Sequence, residues 1–258
     1  MNMKAVASAV IAGAVAGLIA ALLQLWLVQP VLLHAELYES GELTHVADAS
    51  GHHHGDEDGH DHAHDAAGDA AVTPAADHAA PAHGGFQIDP PRDGLSVLFS
   101  ILLYAGYGLL MLAVVLFTIS RGREFTLRDG ILWGVAGFLA VQFIPAIGLA
   151  PELPGMAAAD LGARQLWWTG TVVASAAALW LIAFGRNWAA WGAAIVLLLL
   201  PQIIGAPAPA EFTGPTPPEL AAEFGARALG VGLAGWVTLG LMLFWLLSTD
   251  RQTDRRDA

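Results

Sequence analysis

Between His52 and Asp65 the chain reads HHHGDEDGHDHAHD, six histidines and five acidic residues in fourteen positions. Neutral imidazole and carboxylate are both ligands for divalent first-row metals. His60, His62 and His64 alternate with Asp61 and Ala63 and are followed by Asp65. Alternate side chains of an extended chain face the same way, so these three imidazoles can converge on one ion. His52, His53 and His54 offer a second cluster. Such a flexible stretch can wrap an ion, but its ordering cost and thin supporting shell keep the expected affinity modest. All ten histidines fall between His34 and His83.

The rest of the chain is of another kind. Of its 258 residues 55% are hydrophobic and 13% charged, and the mean hydropathy is +0.55, which indicates an integral membrane protein. The net charge of −12 is local, because 13 of the 23 acidic residues lie between Glu36 and Asp93. That balance excludes nucleic acid as a partner, which needs clustered Lys and Arg, and suits a cation. There is no cysteine, hence no thiolate metal site or thiol nucleophile. HExxH, GxSxG, phosphate-loop and dinucleotide fingerprints are all missing, so no enzyme is expected.

Runs of about 20 apolar residues are long enough to cross a bilayer. They predict an all-α polytopic fold with about six spans, at 5–28, 95–119, 130–149, 165–184, 188–204 and 228–247. The first is longer than the apolar part of a secretion signal and reads as a retained span, ended or kinked at Pro30. Four segments follow: 1–39, the first span with an interfacial extension; 40–93, a disordered outer loop; 94–248, a five-helix membrane domain; and 249–258, a tail. The loop has few large apolar residues to offset its ordering entropy, so no fold is expected there without metal. On this topology eight of the eleven Lys and Arg residues share one side. The positive-inside rule makes both termini cytoplasmic and turns the histidine loop outward from the cytoplasmic membrane.

AADLGAR at 158–164 returns as AAEFGAR at 221–227. Each copy follows a helix end with Pro and a Pro-rich loop, so 130–185 and 188–247 read as repeated helical hairpins, with the first two spans as a divergent copy. Parallel repeats of this kind are a transporter design. Polar residues near the kinked ends are candidate pathway groups: Gln142 with Pro145, Glu152, and Pro201 with Gln202. A proline frees a carbonyl on the preceding turn, and Gln offers an amide oxygen. Asp160 with Arg164, and Glu223 with Arg227, have the i, i+4 spacing of structural ion pairs at a helix start. His34, Glu36 and Glu39 form a candidate metal relay at the outer mouth of the first span. No intramembrane carboxylate suited to a proton relay is evident, and nothing encodes an ATPase. Transport would therefore be channel-like, driven by a cation gradient, or dependent on a partner.

QLWLVQPVLLHAELYE, the stretch from Gly130 to Gly155 ending in PELPG, AADLGARQLWW, and LLLPQIIGAP followed by PPELAAEF together resemble the CbtA-type proposed cobalt transporter subunits. The resemblance covers nearly the whole membrane domain. It implies cobalt as the metal, a setting associated with cobalamin synthesis, and a small single-span, histidine-containing CbtB-type partner. The residues themselves leave nickel or zinc open, since imidazole–carboxylate sites bind these at least as well. They also leave open a non-conducting metal-binding accessory or sensor.

Overall fold

A computed structural model describes residues 3–43, 89–211 and 213–257. The metal ligands expected at His52, His53, His54, His60, Asp61, His62, His64 and Asp65 lie outside the described residues. Among the described residues the chain is helical throughout and has no strand. The helices are α1 (Met3–Leu23), α2 (Gln29–Glu39), α3 (Pro90–Ser120), α4 (Leu127–Phe138), α5 (Ile144–Gly148), α6 (Leu161–Phe184), α7 (Trp188–Ile204) and α8 (Pro218–Asp257).

Two joints in this series are π-helical turns. Gln24–Val28 links α1 to α2, with the Gln29 N–H reaching back to the Gln24 carbonyl. Leu139–Phe143 links α4 to α5, with the Ile144 N–H on the Leu139 carbonyl. Each turn closes one residue before a proline, Pro30 or Pro145. A proline inside an α-helix loses a hydrogen bond and drives its ring against a carbonyl one turn back. The wider π turn absorbs that conflict. Pro30 therefore does not end the first helix, which runs unbroken from Met3 to Glu39. Pro90 and Pro91, at the end of the loop segment, open α3, where a missing N–H costs nothing.

Among the described residues five helices are long and apolar enough to cross a membrane: Met3–Glu39, Pro90–Ser120, Leu127–Gly148, Leu161–Phe184 and Pro218–Asp250. α7 is also apolar but has 17 residues, about 25 Å of helix against a hydrocarbon core of about 30 Å. α8 starts ten residues before the expected 228, because ELAAEFGARAL is a run of good helix formers behind Pro218.

Contacts fix the directions. Gly13 meets Ala105 and Gly17 meets Ile101, so α1 and α3 are antiparallel. Gly130 meets Gly240 and Gly134 meets Trp236, so α4 and α8 are antiparallel too. Trp167 Nε1 donates to the Pro201 carbonyl at 3.2 Å, setting α6 antiparallel to α7. α1 and α8 are tied at one end by Ser8 Oγ donating to Asp250 at 2.9 Å and at the other by Arg227 donating to the Leu27 carbonyl at 2.8 Å. Arg121, Arg123 and Arg186 gather at the first, basic end, where Arg123 sits 5.2 Å over the Phe184 ring. The 149–160 and 205–217 loops meet at the other end, where Ala157 N–H donates to the Thr213 carbonyl at 2.9 Å.

The inner surfaces are built from small residues. Ser8, Ala9, Ala12, Gly13, Ala16 and Gly17 are buried on α1, and a Cβ on Gly13 would lie 2.4 Å from the Ala105 Cα. A Cβ on Gly240 would lie 2.0 Å from the Gly130 carbonyl oxygen. In lipid, helices gain by close van der Waals approach rather than by burying apolar area, and small residues permit it. Tyr104, Val115, Phe138, Trp236, Leu239 and Leu243 fill the centre between α1, α3, α4 and α8. α6 and α7 pack on one side of this core, with Val173, Ile195, Leu199 and Ile203 exposed in the manner of lipid-facing positions.

Candidate functional site

Two cavities open in the loop-end half of the bundle, each beside a π-helical turn. The larger, about 480 Å³, is lined by Gln142, Pro145, Glu152, Arg164, Gln165 and Trp168 among others. The smaller, about 320 Å³, lies between α1–α2, α3 and α8 and includes Gln24, Gln29, Asp93, Ser96 and Ser100. Gln142 and Ala228 line both. Gln142 thus forms the partition between them.

The position of Gln142 follows from its place in the π turn Leu139–Phe143, where the altered register turns its side chain toward α8. Its Oε1 has no hydrogen-bond partner and fills the space where a Cβ on Gly232 would stand. Gln29 is 7% exposed. Its Nε2 donates to Asp93 Oδ1 at 3.1 Å, which orients the amide and leaves Oε1 unpartnered. Leaving one buried polar group unpaired costs about 1–3 kcal/mol. Two such oxygens belong to residues lining one cavity and are acceptors open to a hydrogen-bond donor or a cation.

Asp93 is 6% exposed and is the one acidic side chain buried to that degree among the described residues. Its Oδ2 accepts from the Asp89 N–H at 3.1 Å, so the carboxylate closes the first turn of α3 as well as facing Gln29. The sequence places Asp93 in the outer loop and shows no intramembrane carboxylate suited to a proton relay. Only the pairing of α2 with α3 reveals it, since Gln29 is 64 residues away in sequence.

The other expected site residues separate into two groups. Gln142, Pro145 and Glu152 meet around the larger cavity, with Arg164 across from Glu152. Pro201 and Gln202 do not line it. Gln202 Nε2 donates to the Ile144 carbonyl at 3.2 Å and the Pro201 carbonyl accepts from Trp167, so both serve to hold α7 against α5 and α6. At the mouth of the first helix His34 is exposed, its ring 5.6 Å from Tyr38. The side chain of Glu39 lies beside Gly155. About 200° of helical rotation separates His34 from Glu36, and the two cannot share an ion. No group of three metal-ligating His, Asp or Glu residues is present among the described residues.

The two expected ion pairs fare differently. Glu223 and Arg227 pair as expected. Arg164 instead pairs with Glu152 at 2.7 Å, and Asp160 is the N-cap of α6, its Oδ1 accepting from Ala163 N–H at 2.9 Å. Asp160 does not pair with Arg164 because α6 begins at Leu161 and leaves Asp160 no helical turn from which to reach it.

Residues 3–248 match the family described as "Probable cobalt transporter subunit (CbtA)". The chain belongs to the CbtA family. The match spans almost the whole chain, and with the five long apolar helices it makes this a multi-pass membrane protein of a transporter-subunit family rather than an enzyme. No curated protein and no solved structure matches it.

Proposed function

We propose that this CbtA protein is the membrane-embedded subunit that carries a divalent metal cation, cobalt first among candidates, inward across the cytoplasmic membrane. The family match over residues 3–248 carries the reading. As a subunit family it also makes a second, small single-span and histidine-containing CbtB-type chain a fitting partner. α7 completes six spans in this reading: its 17 residues are enough when the helix stands upright or the bilayer thins locally. Both termini and the basic end with Arg121, Arg123 and Arg186 then face the cytoplasm, and the histidine loop faces outward.

Division of labour follows from chemistry. The loop at 44–88 holds nine of the ten histidines and collects metal where it arrives. The membrane domain, which has no histidine after His83, supplies oxygen donors that a passing ion can leave again. Gln142 and Glu152 are such donors, and both π turns lie against the cavities. π turns recur at functional sites. The π turns before Pro30 and Pro145 also support reading the first hairpin as a divergent copy of the second. Arg164, held by Glu152 at the larger cavity, keeps a positive charge at the entrance until an arriving cation competes for the carboxylate.

Cobalt accumulation in a host lacking its own uptake system tests the reading. Cells expressing the protein with the small partner are expected to accumulate cobalt above the empty-vector level. No gain with the partner present would sink it.

A further inference from the structure

We propose that Asp93, Gln29 and Gln142 form a binding site for a desolvated monovalent cation, Na⁺, in the smaller cavity. The proposal rests on the transport reading only for its use, which is to give a chain without an ATPase a coupling ion; the site itself stands on geometry.

Three features converge. Asp93 is buried and carries one negative charge, with one hydrogen bond on each carboxylate oxygen, from Gln29 Nε2 and Asp89 N–H. Those bonds hold the carboxylate still and leave further lone pairs on both atoms. Gln29, itself more than nine-tenths buried, presents an amide oxygen with no partner on the same cavity. Gln142 lines the same cavity from the joint between α4 and α5, its own Oε1 unpartnered and set against Gly232 of α8. Ser96 and Ser100 add hydroxyls to the wall, and Ser96 Oγ donates to the Arg92 carbonyl at 3.1 Å, so its own lone pairs remain free to accept.

The donor set decides the ion. Carboxylate, amide and hydroxyl oxygens are hard ligands, and the cavity has no imidazole or thiolate to favour a transition metal. One carboxylate balances one positive charge, whereas a divalent ion there would keep an uncompensated charge away from bulk water. Arg92 lies on the lining but is exposed and forms no ion pair with Asp93 among the described residues. It adds positive potential at the rim, which further disfavours a divalent ion. Irregular helical turns are also where sodium-coupled carriers place their ion sites.

The test uses the purified full-length protein in nanodiscs. Radioactive sodium binding and the thermal unfolding midpoint are followed as NaCl replaces choline chloride at constant ionic strength, with KCl as the competing ion. A saturable, sodium-specific rise in both is expected. Asp93→Asn retains an oxygen for the Asp89 N–H and is expected to weaken sodium binding by about a hundredfold. Gln142→Leu, on a different helix and away from the cap of α3, is expected to weaken it by about tenfold. No sodium-specific response in the wild type, or an unchanged response in both folded variants, would overturn the proposal. So would a response to Co²⁺ alone that Asp93→Asn abolishes, since the site would then belong to the cargo. Sodium binding in a protein that accumulates no cobalt would leave the site standing and overturn the transport reading instead.

Discussion

AADLGAR and AAEFGAR differ at two positions, yet their arginines do different work. Arg164 crosses a loop to Glu152. Arg227 holds Glu223 one turn back on its own helix and also donates to the Leu27 carbonyl in the first π turn. The cause is where each helix starts. α6 begins immediately after Asp160, and Asp is a strong N-cap. α8 begins at Pro218, so Glu223 is already inside the helix and can meet Arg227 at i, i+4. The same local sequence becomes a hairpin entrance in one place and a clamp between α8 and the kink of the first helix in the other.

Substitutions at the two corners can break this contrast, with thermal unfolding in nanodiscs as the measurement. Arg227→Ala has the largest expected effect, a loss of about 2 kcal/mol, because a charge-assisted bond to a partly buried carbonyl disappears. Arg227→Lys is not expected to restore it, since a single ammonium cannot reproduce the guanidinium fork between Leu27 and Glu223. Equal losses for Arg164→Ala and Arg227→Ala would erase the distinction. Asp160→Ala comes next at about 1 kcal/mol, the value of an N-cap, with Asp160→Asn close to neutral because Asn caps as well. If Asp160→Asn were as costly as Asp160→Ala, an ion pair rather than a cap would be at work. Glu152→Gln is expected to cost less than about 1 kcal/mol and to lose its effect in high salt, as for other partly exposed pairs. Glu223→Gln is smallest, below about 0.5 kcal/mol, since that pair is more than a third exposed.

Hydropathy is a sum over many residues, so the membrane class and the long helices were legible in the sequence. Helix ends were less so: Pro90, Pro91 and Pro218 look like breakers in a one-dimensional reading and are helix openers in the structure. The close approaches at Gly13, Gly130 and Gly134 had a visible signal in their four-residue spacing of small residues, whereas Gly240 stands between Trp236 and Phe244 at that spacing and had none. Of the candidate site, Gln142, Pro145 and Glu152 were found from the kink pattern and do share a cavity. Gln29 and Asp93 were not found. Their importance depends on burial and on pairing between α2 and α3, and neither property resides in local sequence. Gln202 carried the same sequence signal as Gln142 but is consumed by a helix–helix hydrogen bond to Ile144, because α7 lacks the π turn that redirects Gln142.

In the proposed function the route runs through the histidine-free membrane core and the histidine loop only gathers metal for it. Cobalt uptake as a function of external cobalt, measured for the wild type, a deletion of residues 50–84, and Gln142→Leu, tests this most directly. The loop deletion is expected to raise the cobalt concentration needed for half-maximal uptake but to keep the maximal rate. Gln142→Leu is expected to lower uptake at every concentration, saturating cobalt included. Uptake abolished at saturating cobalt by the loop deletion, with Gln142→Leu indistinguishable from wild type, would contradict it.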